Sequence, residues 1–132
     1  MSSGTSINPM AADLAPYKLD PPASVRLPRI RKAAKRCFEL SGRFALDHPS
    51  ATVVHGFVQG WIAHGWAEID GMVYDGTCKG IFDRDGYYRA ARAVAVRRFP
   101  AAEYLDIACA CGYWLPCDEL SQYARAHLEG EA

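Results

Sequence analysis

The chain has 132 residues, 15 acidic and 15 basic side chains, and therefore a formal net charge of zero. Half of its residues are apolar, which is typical of a globular domain with a buried core and excludes a disordered or strongly polyanion-binding chain. No apolar run is long enough to span a bilayer, and no charged segment followed by an apolar run marks a secretory signal. The five cysteines are odd in number and irregularly spaced, which favours free thiols in the cytoplasm. We expect a cytoplasmic protein with no membrane or nucleic-acid partner.

The first part of the chain is rich in proline. Residues 1–28 contain five prolines among small and polar residues. Because proline lacks the backbone N–H and breaks regular helices, this stretch is predicted to be a flexible arm that is poorly ordered or lies over the domain. Residues 29–132 are predicted to form a single domain.

A helix is predicted over residues 29–47, in one piece or two. Cys37, Leu40 and Phe44 are spaced as one buried helix face, and Pro49 ends the pattern. Seven basic residues but only one acidic residue lie within residues 26–43. The ordinary interpretation of this excess is a solvated helix face, and the alternative is a patch for an acidic substrate or partner.

Three strands follow this helix. Residues 51–58 are rich in β-branched side chains. Residues 62–69 and 72–75 show an alternation of apolar residues and lie on either side of a dipeptide typical of hairpin turns. That dipeptide, Asp70–Gly71, predicts a two-residue type I′ turn.

The rest of the chain adds one more strand and mainly helices. We predict a polar loop at residues 77–86, a short helix at 87–93 and a strand at 94–99. Helices are predicted at residues 100–111, ended by a glycine, and at 116–130. The order indicates an α+β fold, in which an N-terminal helix carrying a cysteine packs on three or four antiparallel strands and C-terminal helices follow.

The predicted turn places two functional side chains on one face of the hairpin. A two-residue turn pairs Trp66 with Asp75 and His64 with Thr77. Because side chains alternate along a strand, His64, Trp66 and Glu68 share a face with Asp75, which lies diagonally opposite His64. A shift of one residue in this register would move Asp75 to the other face.

This arrangement fits a thiol nucleophile. A thiol becomes a strong nucleophile when a histidine takes its proton and an acid orients that histidine. Cys37, His64 and Asp75 occur in the chain order that such a site requires. A cysteine at the start of a helix also gains stabilisation of its thiolate and nearby N–H groups for an oxyanion, so we predict a break in the helix before Cys37.

Other residues are candidates for the walls of a substrate cleft. Glu68 is a reserve orienting acid, and the candidate cleft residues besides Glu68 are Trp66, Trp61 and His55. Each has an ordinary structural alternative, as a core residue or a solvated strand position, and Asp75 could simply close an Asx-turn.

Two segments carry a resemblance to a known family. CFELSGRFALDHPSATVVHGFVQG, followed by IAHGWAEIDGMVYDGT, resembles the transglutaminase-like branch of papain-type cysteine enzymes, over about residues 35–80. The segments are similar in particular to small bacterial and phage proteins of that kind and to the leader peptidases of lasso-peptide pathways. The resemblance implies Cys37 as nucleophile, His64 as base and Asp75 as orienting acid.

The resemblance also implies the chemistry. It implies a peptidase, deamidase or transglutaminase that forms an acyl-enzyme on a protein or peptide substrate, with no cofactor and no metal. The chain departs from the family pattern at Gly65, where alanine is more usual, and at Gly76, where proline is common. No glutamine or asparagine lies shortly before Cys37 to serve as an oxyanion side chain.

Two other interpretations remain open at this point. One is a non-enzymatic interaction module of the same fold that uses the basic residues 26–43. The other is a zinc-stabilised module built on Cys78, Cys109, Cys111 and Cys117. No CxxC pair occurs, and two cysteines two positions apart on a helix point in different directions, which disfavours zinc. The sequence leaves the substrate and the oligomeric state open.

Overall fold

The computed structural model describes residues 9–28, 36–60, 62–112, 114 and 118. Within these residues no helix is long and apolar enough to cross a membrane. The helices are α1 (Pro9–Leu14), α2 (Cys37–Asp47), α3 (Arg84–Ala90) and α4 (Ala101–Cys111), and a single 3-10 turn lies at Ala15–Tyr17. The strands are β1 (Lys18–Leu19), β2 (Thr52–Val58), β3 (Ile62–Ile69), β4 (Met72–Asp75), β5 (Gly80–Asp83) and β6 (Val94–Pro100).

One antiparallel sheet organises the described part of the chain. Its six strands lie in the order β1-β5-β4-β3-β2-β6. The α+β class and the cysteine-bearing helix are confirmed, but the prediction of three or four strands is too low. β1 lies inside the predicted arm, and β5 lies inside the predicted loop at residues 77–86. Both are short strands with little alternation, so only their pairing with each other reveals them.

The hairpin between β3 and β4 has the predicted register. Ile69 pairs with Met72, and the ladder continues to Ala67 and Tyr74. Both turn residues, Asp70 and Gly71, have positive φ angles, of 49° and 76°, as a type I′ turn requires. The β3–β4 ladder ends at the pair of Ala67 with Tyr74, one pair before the predicted pairing of Trp66 with Asp75.

Helices cover both faces of this sheet. On one face, Leu40 and Phe44 of α2 pack with Ala67 and other side chains of the central strands. On the other face, Leu14 of α1 joins Trp66 in a second buried cluster. Because neighbouring strand residues point to opposite faces, a strand covered on both sides carries nearly continuous apolar residues, as β2 does.

The N-terminal segment is part of this packing. α1 begins at Pro9, where a helix needs no N–H donor, and it buries Met10 and Leu14 against the sheet. Lys18 and Leu19 then pair with Phe82 and Ile81 of β5. The prediction that the prolines exclude a regular helix is therefore wrong for residues 9–14.

The start of α3 also differs from the prediction. α3 begins at Arg84 instead of residue 87, because the Asp83 carboxylate accepts the N–H of Gly86 at 2.9 Å and caps the helix. α4 ends as predicted, with Gly112 in the left-handed region at φ 84°. The predicted helix at residues 116–130 lies outside the described residues.

A pair of leucine substitutions tests whether the N-terminal segment contributes to the core. Leu14 is 0% exposed and Leu19 is 38% exposed. We expect Leu14→Ala to lower the free energy of unfolding by about 2–4 kcal/mol, because it leaves a cavity in the core. Leu19→Ala is expected to cost about 1 kcal/mol or less. Equal small losses in urea denaturation would show that the segment does not stabilise the domain.

Candidate active site

Helix α2 begins at Cys37. The preceding residue, Arg36, has φ −120° and ψ 26°, and no side chain caps the helix at this position. The first N–H groups of a helix have no partner within it, so the start of α2 presents donors and the positive end of the helix dipole. The helix that carries Cys37 starts at this residue, as the predicted break requires. The part of the predicted helix at residues 29–35 lies outside the described residues.

Two glycines let the first turn of α2 approach the sheet closely. A Cβ atom on Gly65 of β3 would lie 2.9 Å from Phe38 Cδ1. A Cβ atom on Gly76, just after β4, would lie 2.5 Å from Leu40 Cβ. In this chain the absence of a side chain at both positions has a packing reason. The cysteine at the helix start is thereby held against the end of the β3–β4 ladder.

At that point His64 and Asp75 meet. Nε2 of His64 lies 2.8 Å from Oδ2 of Asp75, and the two side chains are 7% and 0% exposed. The interaction of Cys37 with His64 raises the pKa of the imidazole, so the thiol lies close to this ring. Because Nε2 faces Asp75, Nδ1 is the ring nitrogen left for the thiol. The structure therefore brings together the three side chains that the sequence selected.

Asp75 is fully engaged by hydrogen bonds. Oδ1 accepts the N–H and the O–H of Thr77, at 3.0 and 2.9 Å, and the N–H of Cys78 at 3.0 Å. Oδ2 accepts a hydrogen bond from the Tyr87 hydroxyl at 2.6 Å and faces Nε2 of His64. Asp75 thus closes an Asx-turn and also contacts Nε2 of His64, so its place in the turn is compatible with the predicted role of an orienting acid.

The charges of this pair reinforce each other. Burial alone would raise the pKa of Asp75, but the charge of His64 and the hydrogen bonds around the carboxylate hold that pKa well below its usual range. Burial alone would lower the pKa of His64, but Asp75 and Cys37 outweigh it and raise the pKa to about 10. The imidazole of His64 therefore carries a proton at neutral pH.

Glu68 does not orient His64. Its carboxylate accepts hydrogen bonds from Arg98 at 2.8 Å, from Arg84 at 3.1 Å and from Nε1 of Trp66 at 3.1 Å. The hydroxyl of Tyr88 donates to it as well. Burial opposes ionisation, but these donors keep the pKa of Glu68 below its usual value. Glu68 therefore belongs to a separate hydrogen-bond network and does not serve as the reserve orienting acid. Nothing in the sequence pattern predicted this network.

The remaining candidate cleft residues have different positions. Trp66 is fully buried, and its ring centroid lies 6.1 Å from that of His64, so it forms a wall behind the histidine. His55 is also fully buried and points to the opposite face of the sheet from Trp66. Its Nε2 lies 3.3 Å from the Tyr104 hydroxyl, so His55 is a core residue and its assignment to the cleft is wrong. Trp61 lies outside the described residues.

The other cysteines are dispersed. Cys78 is half-buried beside Asp75, whereas Cys109 and Cys111 are exposed on α4. In the part of the chain that the structure describes, no three histidine, cysteine or acidic side chains form a group that could hold a metal ion. Cys117 lies outside that part.

The basic segment is partly neutralised by its own acid. Glu39 binds Arg36 at 2.6 Å and Arg43 at 2.8 Å.

A groove of about 790 Å³ lies beside the second half of α2. It is lined by Val25, Arg26, Leu27, Pro28, Arg43, Leu46 and Asp47.

Sequence reasoning missed one residue of the site. Tyr87 was placed in a short helix with no role, yet its hydroxyl reaches Asp75. The two residues are 12 positions apart, and their contact depends on how α3 docks on the sheet. No periodic or motif signal in the sequence reports such docking.

Comparisons of the chain with protein-family models, with curated proteins and with solved structures found no match.

The titration of the buried pair predicts how stability depends on pH. The folded pKa of His64, about 10, exceeds its unfolded value of 6.5, so its stabilisation is complete below pH 6.5 and is lost as the pH rises towards 10. The pKa of Asp75 is depressed from 3.8, so its stabilisation is present above that pH and is lost on acidification. We expect the contribution of His64 to the free energy of unfolding to fall between pH 6.5 and 10, by up to about 1.4 kcal/mol per pH unit.

A variant isolates the histidine contribution in this experiment. His64→Gln removes the titrating group, so urea denaturation of this variant should show a much flatter alkaline slope than the unaltered protein. Identical slopes in the two proteins would contradict a protonated His64 paired with Asp75.

Proposed function

We propose that the protein is a thiol-dependent acyl-transfer enzyme of the transglutaminase-like type, in which Cys37, His64 and Asp75 form a catalytic triad. The observation that supports this most is the buried His64 ring, which has Asp75 on Nε2 and lies close enough to Cys37 for their interaction to raise the pKa of the imidazole. Helix α2 and the β3–β4 hairpin converge on this ring, and buried groups with strongly perturbed pKa values cluster at functional sites.

The chemistry begins at the sulfur. The Cys37 thiolate attacks the carbonyl carbon of a peptide bond, an ester or a glutamine side-chain amide, and a C–S bond forms. The carbonyl electrons move to oxygen, and the N–H groups at the start of α2 hold this oxyanion. Nδ1 of the His64 imidazolium then gives its proton to the leaving group as the C–N or C–O bond breaks, which yields a thioester.

A second half-reaction releases the acyl group. Water or an amine attacks the thioester carbonyl, and the now neutral His64 takes the proton of the attacking group. The tetrahedral intermediate collapses, the C–S bond breaks, and the thiolate and the imidazolium are restored. Water gives a peptidase, esterase or deamidase, whereas an amine gives a transferase.

The N–H groups at the start of α2 supply the oxyanion donors that a glutamine or asparagine before Cys37 would otherwise supply. A single oxyanion donor contributes about 10²- to 10³-fold to the rate in other acyl-transfer enzymes. Here the donors are backbone groups fixed by the helix, and the closest approach of α2 to the sheet is set at Gly65 and Gly76. The lack of a glutamine or asparagine before Cys37 is therefore compatible with activity.

The accessibility of the thiol bears on the substrate. Cys37 is 8% exposed, so only a small part of it is accessible from solvent. This favours a slender reacting group, such as an extended peptide or a protruding glutamine side chain. We propose a protein or peptide substrate.

The interaction-module alternative has less support. It requires free positive charge in residues 26–43, whereas two of the three basic residues that the structure describes there, Arg36 and Arg43, share the carboxylate of Glu39. It would also leave the interaction between Cys37 and His64 without a purpose.

Site-specific alkylation tests the activated thiol. Mass spectrometry after treatment with iodoacetamide at about pH 6 should show Cys37 reacting about 10-fold faster than Cys109, although Cys109 is exposed and Cys37 is buried. The reason is that only the thiolate reacts, and His64 supplies the charge that stabilises it. Cys109 in the same sample is the internal control.

The histidine variant completes the alkylation test. His64→Ala should slow alkylation of Cys37 by about 10-fold and leave Cys109 unchanged. If Cys37 reacts more slowly than Cys109 and does not respond to the loss of His64, the proposed nucleophile is wrong.

An activated ester tests acyl transfer itself. With p-nitrophenyl acetate we expect a burst of about one equivalent of nitrophenolate, because the acetyl group accumulates on the enzyme before it is released. Peptide mapping should locate the acetyl group on Cys37, and Cys37→Ala should abolish the burst. A burst that survives in Cys37→Ala would place the reactive group elsewhere in the chain.

A further inference from the structure

The hydroxyl of Tyr87 lies on the same carboxylate oxygen that faces His64. It donates to Oδ2 of Asp75 at 2.6 Å, and Nε2 of His64 lies 2.8 Å from that oxygen. Tyr87 is fully buried, so water does not compete for this oxygen from the side of the phenol. Of the described residues around Asp75, Tyr87 is the one contributed by α3.

The packing of α3 fixes this phenol. Asp83 caps the helix by accepting the N–H of Gly86. The ring of Tyr17 packs on Gly86 so closely that a Cβ atom on this glycine would lie 2.1 Å from Cδ1 of Tyr17. On the sheet side, Tyr87 belongs to the buried cluster that also contains Trp66 and Leu14. The ring is therefore held from the N-terminal segment, from the cap and from the sheet.

We propose that Tyr87 is a positioning residue of the active site. It acts through Asp75, by holding the carboxylate oxygen that accepts the hydrogen bond from Nε2 of His64. This inference rests on the proposed function. Among the described residues, Oδ2 would keep His64 as its one side-chain partner without the phenol. Because Thr77 and Cys78 bind only Oδ1, Oδ2 could then shift relative to the imidazole ring. The ring of His64 would then lose the orientation that turns Nδ1 towards Cys37.

Charge also links the two residues. Burial raises the pKa of Tyr87, and the charge of Asp75 and its hydrogen bond raise it further, so the phenol stays a neutral donor. The Tyr87 hydrogen bond in turn lowers the pKa of Asp75. The other titratable groups near this carboxylate are His64 from β3, Cys78 from the following turn and Tyr74 on the same strand.

The neighbouring tyrosine provides a matched control. Tyr88 follows Tyr87 on α3, but its hydroxyl donates to Glu68 and not to Asp75. Tyr87→Phe and Tyr88→Phe each remove one oxygen from adjacent aromatic residues of one helix. A difference between the two variants therefore reports on Asp75 and not on the packing of α3.

The first measurement is the titration of Asp75, followed by NMR in protein labelled with ¹³C at the aspartate carboxyl carbon. In Tyr87→Phe the midpoint of this titration should rise by about one pH unit, because a hydrogen bond to the ionised form is lost. In Tyr88→Phe the midpoint should stay where it is in the unaltered protein. An unchanged midpoint in Tyr87→Phe would overturn the proposal.

The second measurement is the alkylation rate of Cys37 at neutral pH. We expect a loss of about 10-fold in Tyr87→Phe and of less than about twofold in Tyr88→Phe, because a misoriented His64 no longer stabilises the thiolate. Equal losses in the two variants would mean that the effect is one of packing, and the proposal would be wrong.

These two readouts separate this proposal from the proposed function. If Cys37 of the unaltered protein reacts as an ordinary thiol while the Asp75 midpoint still shifts in Tyr87→Phe, the proposed enzyme fails but the link between Tyr87 and Asp75 stands. If Cys37 is strongly activated and neither readout responds to Tyr87→Phe, the enzyme stands and the positioning role fails.

A measurement on the unaltered protein covers the case in which Tyr87→Phe does not fold. A buried hydroxyl in a short hydrogen bond exchanges slowly, so its proton should give a separate ¹H resonance with a nuclear Overhauser effect to the ring of His64. If no hydroxyl proton of Tyr87 can be detected near His64, the proposal is overturned without any substitution.

Discussion

The hydrogen bond between Nε2 of His64 and Oδ2 of Asp75 is the interaction on which the rest of the site depends. Both residues are buried, and a buried charged pair is costly unless every donor and acceptor is satisfied. In this chain they are well satisfied, because Thr77, Cys78 and Tyr87 supply the remaining bonds to the carboxylate. The pair is therefore a fixed feature of the fold and not a surface contact that solvent could replace.

The location of the pair follows from the sheet. The β3–β4 ladder ends at Ala67 and Tyr74, so the two strands no longer bond to each other where His64 and Asp75 lie. A side-chain hydrogen bond takes over from the backbone pairs at this point. The first turn of α2 fits against the same place because Gly65 and Gly76 leave space for it. Cys37 thus reaches His64 as a result of how the helix packs on the sheet.

The parts of the site that the sequence predicted are those determined by local chemistry. Asp70–Gly71 specifies a type I′ turn, the turn specifies a register, and the register places His64 and Asp75 on one face. The need of a reactive thiol for a helix start likewise predicted that a helix begins at Cys37. These inferences use spacings of a few residues, where the backbone leaves few alternatives.

The parts that could not be predicted depend on distant contacts. The two-residue strand β1 exists only because β5 pairs with it, and α1 is stable only where Leu14 enters the core. Tyr87 and Arg98 reach their carboxylates from elements far along the chain, which no local pattern records. Whether His55 lies in the cleft or in the core likewise depends on distant contacts, which are those with Phe38 and Tyr104.

The most direct test of the central claim is the ultraviolet absorbance of the Cys37 thiolate at neutral pH. It is obtained as the difference between the unaltered protein and Cys37→Ser. If His64 and Asp75 hold the thiolate as proposed, this absorbance is present in the unaltered protein and disappears when His64 is replaced by alanine. A difference spectrum without thiolate absorbance, or one that is the same without His64, would contradict the account.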